Sequence, residues 1–325
     1  MDTLRIFILL LFIAVSSDGF SQVHSSGSYE YLISIPQQKE HIKELTSPKT
    51  GGRGCGTVGA ALAKEYIVNA FEKYGLRQWR GSYTQDFNVY QGKNIRPGVP
   101  PLKGSNVVGF VPSSAGGSDY IIIGAHYDNI GTIDGKIFSG ADDNASGVTA
   151  LLELAKVFAE LGRKEKLTKN IVFAAFDANN MNNAGSKEFV SDLRMDPGRI
   201  ICMLNLDQIG SNLSPPGKDS SYLLILGADK LKEWDRQQIP LSNMLSENPL
   251  ELDFTYYNSP SFYNIFYSLS DQQSFTEKGI PALLFTSGIT THTNKESDTV
   301  AHICFPVLDK RIKLIYKFIY QLVKK

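Results

Sequence analysis

The chain has 325 residues, of which 42% are apolar and 20% charged, an ordinary composition for a globular protein. Its 33 Lys and Arg residues equal its 33 Asp and Glu residues in number, and the charges are scattered along the chain. This balance excludes a nucleic-acid surface built on a basic stripe and a disordered acidic tail. The length allows one large α/β domain or two smaller ones.

The N-terminus has the pattern of a secretory signal peptide. Arg5 gives a weakly positive start, residues 6–15 are apolar, and Gly19 and Ser21 flank a cleavage point before Gln22. The apolar run is too short for a stable membrane span. An uncleaved anchor or a core helix is the alternative reading. The pattern predicts export, to the periplasm or out of the cell.

The remainder of the chain is predicted to form one domain. Residues 22–50 are polar and mixed, which indicates an N-terminal arm with one short helix. No internal repeat or low-complexity tract follows. We therefore predict a signal peptide over residues 1–21, an arm over residues 22–50, and a single domain over residues 51–325.

Strands and helices alternate along this domain. Thr57 can cap a helix that runs through Tyr74 and stops at Gly75. Apolar strands that alternate with helices favour an α/β fold with a mostly parallel or mixed sheet between helices. The predicted strands are residues 83–90, 105–111, 120–123, 171–176, 200–206, 222–226 and 281–285; the later helices are residues 146–161, 186–193 and 305–322.

Cysteine chemistry does not organise this fold. The three cysteines are Cys55, Cys202 and Cys304, so at most one disulfide can form. None has the spacing of a zinc finger or a redox pair. Cys202 lies in an apolar strand and is predicted to be a small buried residue.

Polar residues with metal-ligating chemistry occur at the ends of the predicted strands. His126 follows one strand, Asp207 ends another, His292 follows a third, and Asp143 lies in the loop before a helix. Each alone is weak, because a single His or Asp there is usually a satisfied polar residue or a helix cap. Together they indicate a metal site, since ligands gather at the carboxyl ends of strands.

The ligand types indicate zinc, although imidazole and carboxylate also suit manganese or cobalt. Asp128, two residues after His126, is placed to hold the imidazole in one tautomer.

In this order the motifs resemble the zinc-dependent exopeptidases of the aminopeptidase, glutamate carboxypeptidase and glutaminyl cyclase superfamily, from about Gly51 to the C-terminus. The most specific marker is Gly-Ala-Asp-Asp-Asn-Ala-Ser-Gly over residues 140–147. The other markers are His126, Asp177 followed by Gly185-Ser186, Asn205-Leu206-Asp207, Ser270-Asp271 with Phe275, Gly279-Ile280-Pro281, and His292 with Asp298-Thr299.

The resemblance implies the zinc-exopeptidase fold and two zinc positions. Asp143 would bridge both ions, with a cis peptide bond to Asn144. His126 and Asp207 would complete one site. His292 and position 180 would complete the other.

This chain departs from the family pattern at the catalytic positions. Position 179 would hold the glutamate that acts as general base, and position 180 a carboxylate ligand, but the chain has Asn179 and Asn180. The spacing to Gly185 needs no gap, so a shifted alignment does not restore the glutamates. Gln272 stands where a His is frequent, beside Asp271, which we expect to support the site.

Charge then predicts one zinc ion rather than two. Two Zn²⁺ with Asp143 and Asp207 would leave an excess of two positive charges in a poorly hydrated cleft, which is costly. One Zn²⁺ held by His126, Asp143 and Asp207 is neutral. The site of Asn180 and His292 is therefore expected to be weak or empty.

Three functions remain open. The first is a degenerate exopeptidase that captures peptide or protein N-termini, because loss of a general base costs about 10²–10⁴ in rate. The second is an active zinc aminopeptidase or other hydrolase with a different base; strand alternation turns Asp177 away from this role, and glutaminyl cyclisation is its weakest variant. The third is an interaction module without metal. None involves nucleic acid, or a membrane span after signal cleavage.

Aromatic residues are concentrated near residues 256–267, at Tyr256, Tyr257, Phe262, Tyr263, Phe266 and Tyr267. They could line a pocket for an apolar side chain. A helix that packs its aromatic face into the core is the favoured alternative.

Overall fold

The computed structural model describes residues 26–90, 100–213 and 221–325. The predicted signal peptide lies outside the described residues. The helices are α1 Ile35–Leu45, α2 Val58–Tyr74, α3 Gly147–Lys164, α4 Ala184–Ser191, α5 Glu233–Met244, α6 Pro260–Tyr267, α7 Gln272–Thr276 and α8 Phe305–Lys324. The strands are β1 Arg77–Gln78, β2 Thr84–Val89, β3 Leu102–Val111, β4 Tyr120–His126, β5 Gly131–Ile133, β6 Lys136–Phe138, β7 Asn170–Phe176, β8 Ile200–Leu206, β9 Tyr222–Leu226, β10 Glu251–Asp253 and β11 Ala282–Thr286.

A mixed sheet of nine strands forms the centre of the described structure. Its order is β1-β3-β7-β4-β8-β11-β9-β10, and β2 also pairs with β3. The middle of the sheet is parallel, because β4 pairs in parallel with β7 and β8, and β8 with β11. The flanking strands β3 and β9 run antiparallel to their inner neighbours. This arrangement confirms the predicted α/β fold.

Helices cover both faces of the sheet, which explains its apolar strands. Ile121 and Ile123 of β4 belong to the larger core cluster, whereas Ile122 belongs to the cluster on the opposite face. Strand β7 is buried along its whole length. A strand covered on both faces needs apolar side chains at successive positions, as the sequence shows.

Helix α2 begins and ends where its sequence predicts. The Thr57 hydroxyl oxygen accepts a hydrogen bond from the Ala60 backbone N–H, and Gly75 adopts a left-handed φ of 79° at the other end. Ile67 and Phe71 are fully buried in the main core. Caps and apolar spacing therefore agree at this element.

Residues 26–50 pack on the domain rather than extending from it as an arm. Ile42 and Leu45 of α1 are buried in the main core. Gln38 Nε2 donates to Asp309 Oδ1 on α8 at 2.8 Å, and the Ser34 backbone N–H donates to Glu153 Oε2 on α3 at 2.9 Å. These partners lie more than 100 residues away along the chain, so local polarity does not reveal them.

Cys55 and Cys202 are buried free thiols, and Cys304 is a half-buried one. Among the described residues, the helices are all too short or too polar to cross a membrane.

Candidate metal centre

Two neighbouring strands and one loop bring three predicted ligands together. His126 ends β4, and Asp207 directly follows β8, the parallel neighbour of β4. Asp143 lies in the helical turn Ala141–Ser146 that leads into α3. Because parallel neighbours end at the same edge of a sheet, the three side chains meet there.

The ligand atoms are close enough to share one ion. His126 Nε2 lies 3.3 Å from Asp143 Oδ1 and 3.5 Å from Asp207 Oδ1. One ligand atom from each residue lies within 4.8 Å of the other two, and all three residues are buried. Ligand atoms of a tetrahedral zinc with bonds of about 2.0–2.1 Å lie about 3.3–3.4 Å apart. This donor set therefore fits zinc.

Neighbouring groups orient the ligands. His126 Nδ1 lies 3.1 Å from the Asp128 carbonyl oxygen, which leaves Nε2 directed at the two carboxylates. Asp207 Oδ2 accepts from the Ser270 hydroxyl at 2.6 Å, whereas its buried Oδ1 has no hydrogen-bond partner in the described part of the chain. A buried acceptor without a donor is costly, and a cation would satisfy it.

The electrostatics of the three residues favour a cation. Burial alone would lower the pKa of His126, but the negative charge of Asp207 and the carboxyl groups of Asp128 and Asp143 raise it well above its usual range. Burial opposes ionisation of Asp207, yet His126 holds the pKa of that carboxyl below its usual value. The surrounding carboxyls therefore favour positive charge at this position, and a divalent ion would supply it.

Asp298 holds the loop that carries Asp143. Its Oδ1 and Oδ2 accept from the backbone N–H groups of Asp142 and Asp143, each at 2.9 Å. The peptide bond from Asp143 to Asn144 is cis, as the resemblance implied. In the sequence Asp298 was recognisable only as a family marker, and no role was predicted for it.

Asn179 faces the site with its amide already engaged. Its Nδ2 donates to Asp271 Oδ2 and to Asn183 Oδ1, both at 3.1 Å. Its backbone N–H donates to Asp128 Oδ1 at 2.9 Å. Asp271 is buried, and burial raises the pKa of its carboxyl to about 6. The side chain at the predicted base position therefore acts as a hydrogen-bond donor to the wall of the site.

The second predicted metal position is not assembled in the same way. His292 is outside the His126, Asp143 and Asp207 group. Its Nδ1 lies 2.9 Å from the Ser297 hydroxyl, and its ring stacks on His302 with centroids 3.7 Å apart. Asn180 lines the cavity beside the centre and offers a neutral amide.

Two other residues for which the sequence suggested a role, Asp177 and Gln272, do not line the cavity. Asp177 accepts from the backbone N–H groups of Ser105 and Ala178 and is not among the residues that line the cavity. Gln272 is fully buried, and its Oε1 accepts from Asn205 Nδ2 at 2.7 Å. Gln272 therefore supports the floor of the site rather than contacting a ligand.

A cavity of about 430 Å³ opens over the centre and has two kinds of lining residue. The first kind carries a side-chain amide: Asn179, Asn180, Asn182, Asn183, Gln208, Gln273 and Asn294. The second kind is apolar: Tyr256, Phe266, Leu269, Leu284 and Ile289. The sequence pattern favoured core packing for the aromatic segment, and Tyr263, Phe266 and Tyr267 do pack against a small buried cluster that contains Tyr256. Tyr256 and Phe266 also line the cavity, and no residue of α6 is fully buried.

A His–Asp–Asp centre at the carboxyl edge of such a sheet is the architecture of a zinc-dependent exopeptidase. Residues 106–319, about two thirds of the chain, match Peptidase family M28. The chain belongs to this family.

Curated relatives and a solved structure are consistent with this membership. A "Probable zinc metalloprotease" of Pyrenophora tritici-repentis is 30% identical over 165 residues, which are 49% of this chain and 37% of that protein. "Aminopeptidase YwaD" of Bacillus subtilis is 25% identical over 228 residues, 68% of this chain and 45% of that one. The chain thus spans less than half the length of either relative. The "Aminopeptidase from Aneurinibacillus sp. strain AM-1" shares the fold, with a TM-score of 0.70 and 18% identity over 91% of this chain and 95% of that one.

Proposed function

We propose that this protein is an exported M28 family member that binds one zinc ion and captures peptide N-termini, with hydrolysis lost or strongly impaired. His126, Asp143 and Asp207 would hold the ion, which supplies Lewis-acid chemistry at this position when bound. The proposal depends mainly on one observation: the side-chain amide of Asn179 donates hydrogen bonds to Asp271 and Asn183.

An amide at position 179 removes the proton acceptor that peptide hydrolysis needs. A general base must accept a proton at near-neutral pH, and a side-chain amide is not protonated there. Two neighbouring carboxyls are ill placed to replace it, because Asp177 and Asp271 are not among the residues that line the cavity. Binding survives this loss, whereas proton transfer does not.

A single ion follows from the distribution of ligands and charge. The group formed by His126, Asp143 and Asp207 is neutral with one Zn²⁺. Asn180 brings no charge to a second site, and His292 is engaged with Ser297 and His302. A second ion would therefore add uncompensated charge to a cleft of buried residues.

The side-chain amides that line the cavity suit a peptide ligand. Asn and Gln side chains both donate and accept hydrogen bonds, as peptide groups do. Seven of them line this cavity in the described structure. The amides would hold the backbone of a bound peptide, and the apolar lining residues would hold one of its side chains.

The test is turnover on a panel of aminoacyl anilides with added zinc. Wild type is expected to be silent, and the Asn179→Glu/Asn180→Glu double variant is expected to gain activity of at least about 100-fold over wild type. Asn182→Glu is the control, because it introduces a Glu at another Asn that lines the cavity. This variant should show no turnover. Turnover by wild type at the level of the double variant would show that another residue is the base.

Export is tested separately. Expression of the full-length chain, followed by cell fractionation and N-terminal sequencing, should yield a mature protein that begins at Gln22. Retention of the first residues in a membrane fraction would instead support the uncleaved anchor.

A further inference from the structure

An apolar surface continues the cavity outward along α6. The rings of Tyr256, Phe262 and Phe266 lie with centroids 4.6–6.2 Å apart and within 15° of parallel. Tyr256 and Phe266 line the cavity, whereas Phe262 is not among its lining residues. The exposed fraction rises from 6% at Tyr256 to 54% at Phe262. A single aromatic cluster thus extends from the cavity to solvent.

Helix α6 is fixed on one side and uncovered on the other. Tyr263 and Tyr267 anchor it, since the Tyr263 hydroxyl accepts from the Gly227 N–H and the Tyr267 hydroxyl donates to the Ala282 carbonyl. On the opposite side Phe262 and Ile265 are 54% and 52% exposed. Leu269, which lines the cavity, is 60% exposed. A contiguous exposed apolar surface beside a cavity is a feature of binding sites.

The backbone that carries Tyr256 is held in an unusual conformation. Residues 256–258 have φ values of 52°, 59° and 58°, in the left-handed region that bulky residues rarely adopt. The Tyr257 backbone N–H donates to Asp253 Oδ2 at 2.9 Å, which helps to hold this turn. The turn stacks Tyr256 against Phe266 at 4.6 Å. Such strained segments are concentrated at ligand-binding sites.

We propose that this aromatic surface, made of Tyr256, Phe262, Ile265, Phe266 and Leu269, binds the third residue of the captured peptide through an apolar, preferably aromatic, side chain. The inference rests on the proposed function, in which the peptide N-terminus lies at the metal centre. It adds to that function a preference for peptides with an apolar third residue.

The spacing of the rings selects the third residue. In an extended peptide, side chains two residues apart point to the same side and are separated by about 6.4–6.8 Å. The Phe266 and Phe262 centroids are 5.9 Å apart. When the first side chain packs on Phe266 inside the cavity, the third reaches Phe262 outside it. The second side chain points away from this surface.

The charge of the cavity agrees with an apolar ligand. Its acidic and basic lining residues in the described structure are His126, Asp143 and Asp207, all of which belong to the metal centre. Neither Lys nor Arg is among its described lining residues, so nothing there pairs with an acidic side chain.

Peptide binding to the zinc-loaded protein tests the inference. Three fluorescein-labelled pentapeptides are compared by fluorescence anisotropy: Phe-Gly-Phe-Gly-Gly, Phe-Phe-Gly-Gly-Gly and Phe-Gly-Ser-Gly-Gly, each with a free and an acetylated N-terminus. The third-position Phe should tighten binding about tenfold over Ser. That gain should disappear in Phe262→Ser and Ile265→Ser. It should persist in Tyr31→Ser, which removes a 73% exposed ring elsewhere on the protein.

The outcomes separate the two proposals. A gain that is equally large for Phe at the second position, or that persists in Phe262→Ser, would overturn the third-residue inference. If the free amine still matters in that case, the proposed function stands. Equal binding of free and acetylated peptides would overturn peptide N-terminus capture, and the inference with it.

Discussion

At position 179, the side-chain amide donates a hydrogen bond where an ionised carboxylate could only accept one. An ionised carboxylate only accepts hydrogen bonds, whereas an amide also donates. Asn179 Nδ2 donates to Asp271 Oδ2, a buried carboxyl oxygen. A glutamate at position 179 would bring a second carboxylate toward Asp271. The amide therefore compensates a buried acidic group and, in the proposed function, leaves position 179 without a base.

Asn179→Glu alone should therefore destabilise the protein, in a pH-dependent manner. Two neighbouring carboxyls raise the pKa of one of them, so the folded state binds more protons than the unfolded state between about pH 4 and 7. Stability then falls as pH rises. We expect a loss of about 1–3 kcal/mol at pH 7 relative to Asn182→Glu, and a smaller loss at pH 4.5, by urea denaturation. Equal losses at both pH values would contradict the pairing with Asp271.

We expect metal content to depend on His126, Asp143 and Asp207 and not on His292. His126→Ala and Asp143→Asn should each weaken zinc binding by at least about 100-fold, because they remove ligands of a three-residue site. His292→Ala should keep one zinc per chain with affinity close to wild type. Equilibrium dialysis followed by metal analysis measures both. Two tight, equivalent sites in wild type would contradict a single-ion centre.

At the scale of elements, the metal centre depends on a contact between distant loops. Ala141–Ser146 carries Asp143, and Asp298 binds two successive backbone N–H groups of this segment. Asn144 adds a second tie, because its Nδ2 donates to the Leu206 carbonyl at the end of β8 at 2.8 Å. The loop is thus fixed to its surroundings on two sides.

Asp298→Asn tests this support. An asparagine keeps one acceptor oxygen and loses the other, so one of the two loop amides loses its partner. Zinc affinity should fall about 10–100-fold while the far-UV circular dichroism spectrum stays unchanged. Asp196→Asn, at an exposed turn where Asp196 accepts from Gly198 N–H, should leave the affinity unaltered. An unchanged affinity in Asp298→Asn would mean that the loop holds its shape without this carboxylate.

The sequence predicted those features that depend on interactions between residues close together in the chain. The Thr57 and Gly75 caps and the apolar run of β4 depend on neighbouring residues, and both predictions are confirmed. The packing of α1 on α8 and the role of Asp298 depend on partners 271 and 155–156 residues away. His292 follows a strand in sequence, but its loop directs it to Ser297 and His302. Tertiary contacts of this kind cannot be recognised from the sequence around each residue.

Across the whole molecule, a buried carboxyl couples folding to pH. Asp177 lies 2% exposed beneath the site. Burial first, and then the charge of Asp128, raise the pKa of its carboxyl to about 6, above the value of about 3.9 expected in an unfolded chain. The folded protein therefore binds more protons than the unfolded protein between these values. This group makes the protein less stable as pH rises from about 4 to 6.

The contribution of Asp177 is limited to about 3 kcal/mol, since each unit of pKa difference corresponds to about 1.4 kcal/mol. Asp177→Asn cannot ionise, so its free energy of unfolding should fall less between pH 4 and pH 7 than that of wild type. Urea denaturation of the metal-free protein at both pH values measures the difference. Asp134→Asn, at an exposed turn, should keep the wild-type slope. A wild-type slope in Asp177→Asn would place the pH dependence in other groups, because Asp177 supplies it only if its proton is taken up on folding.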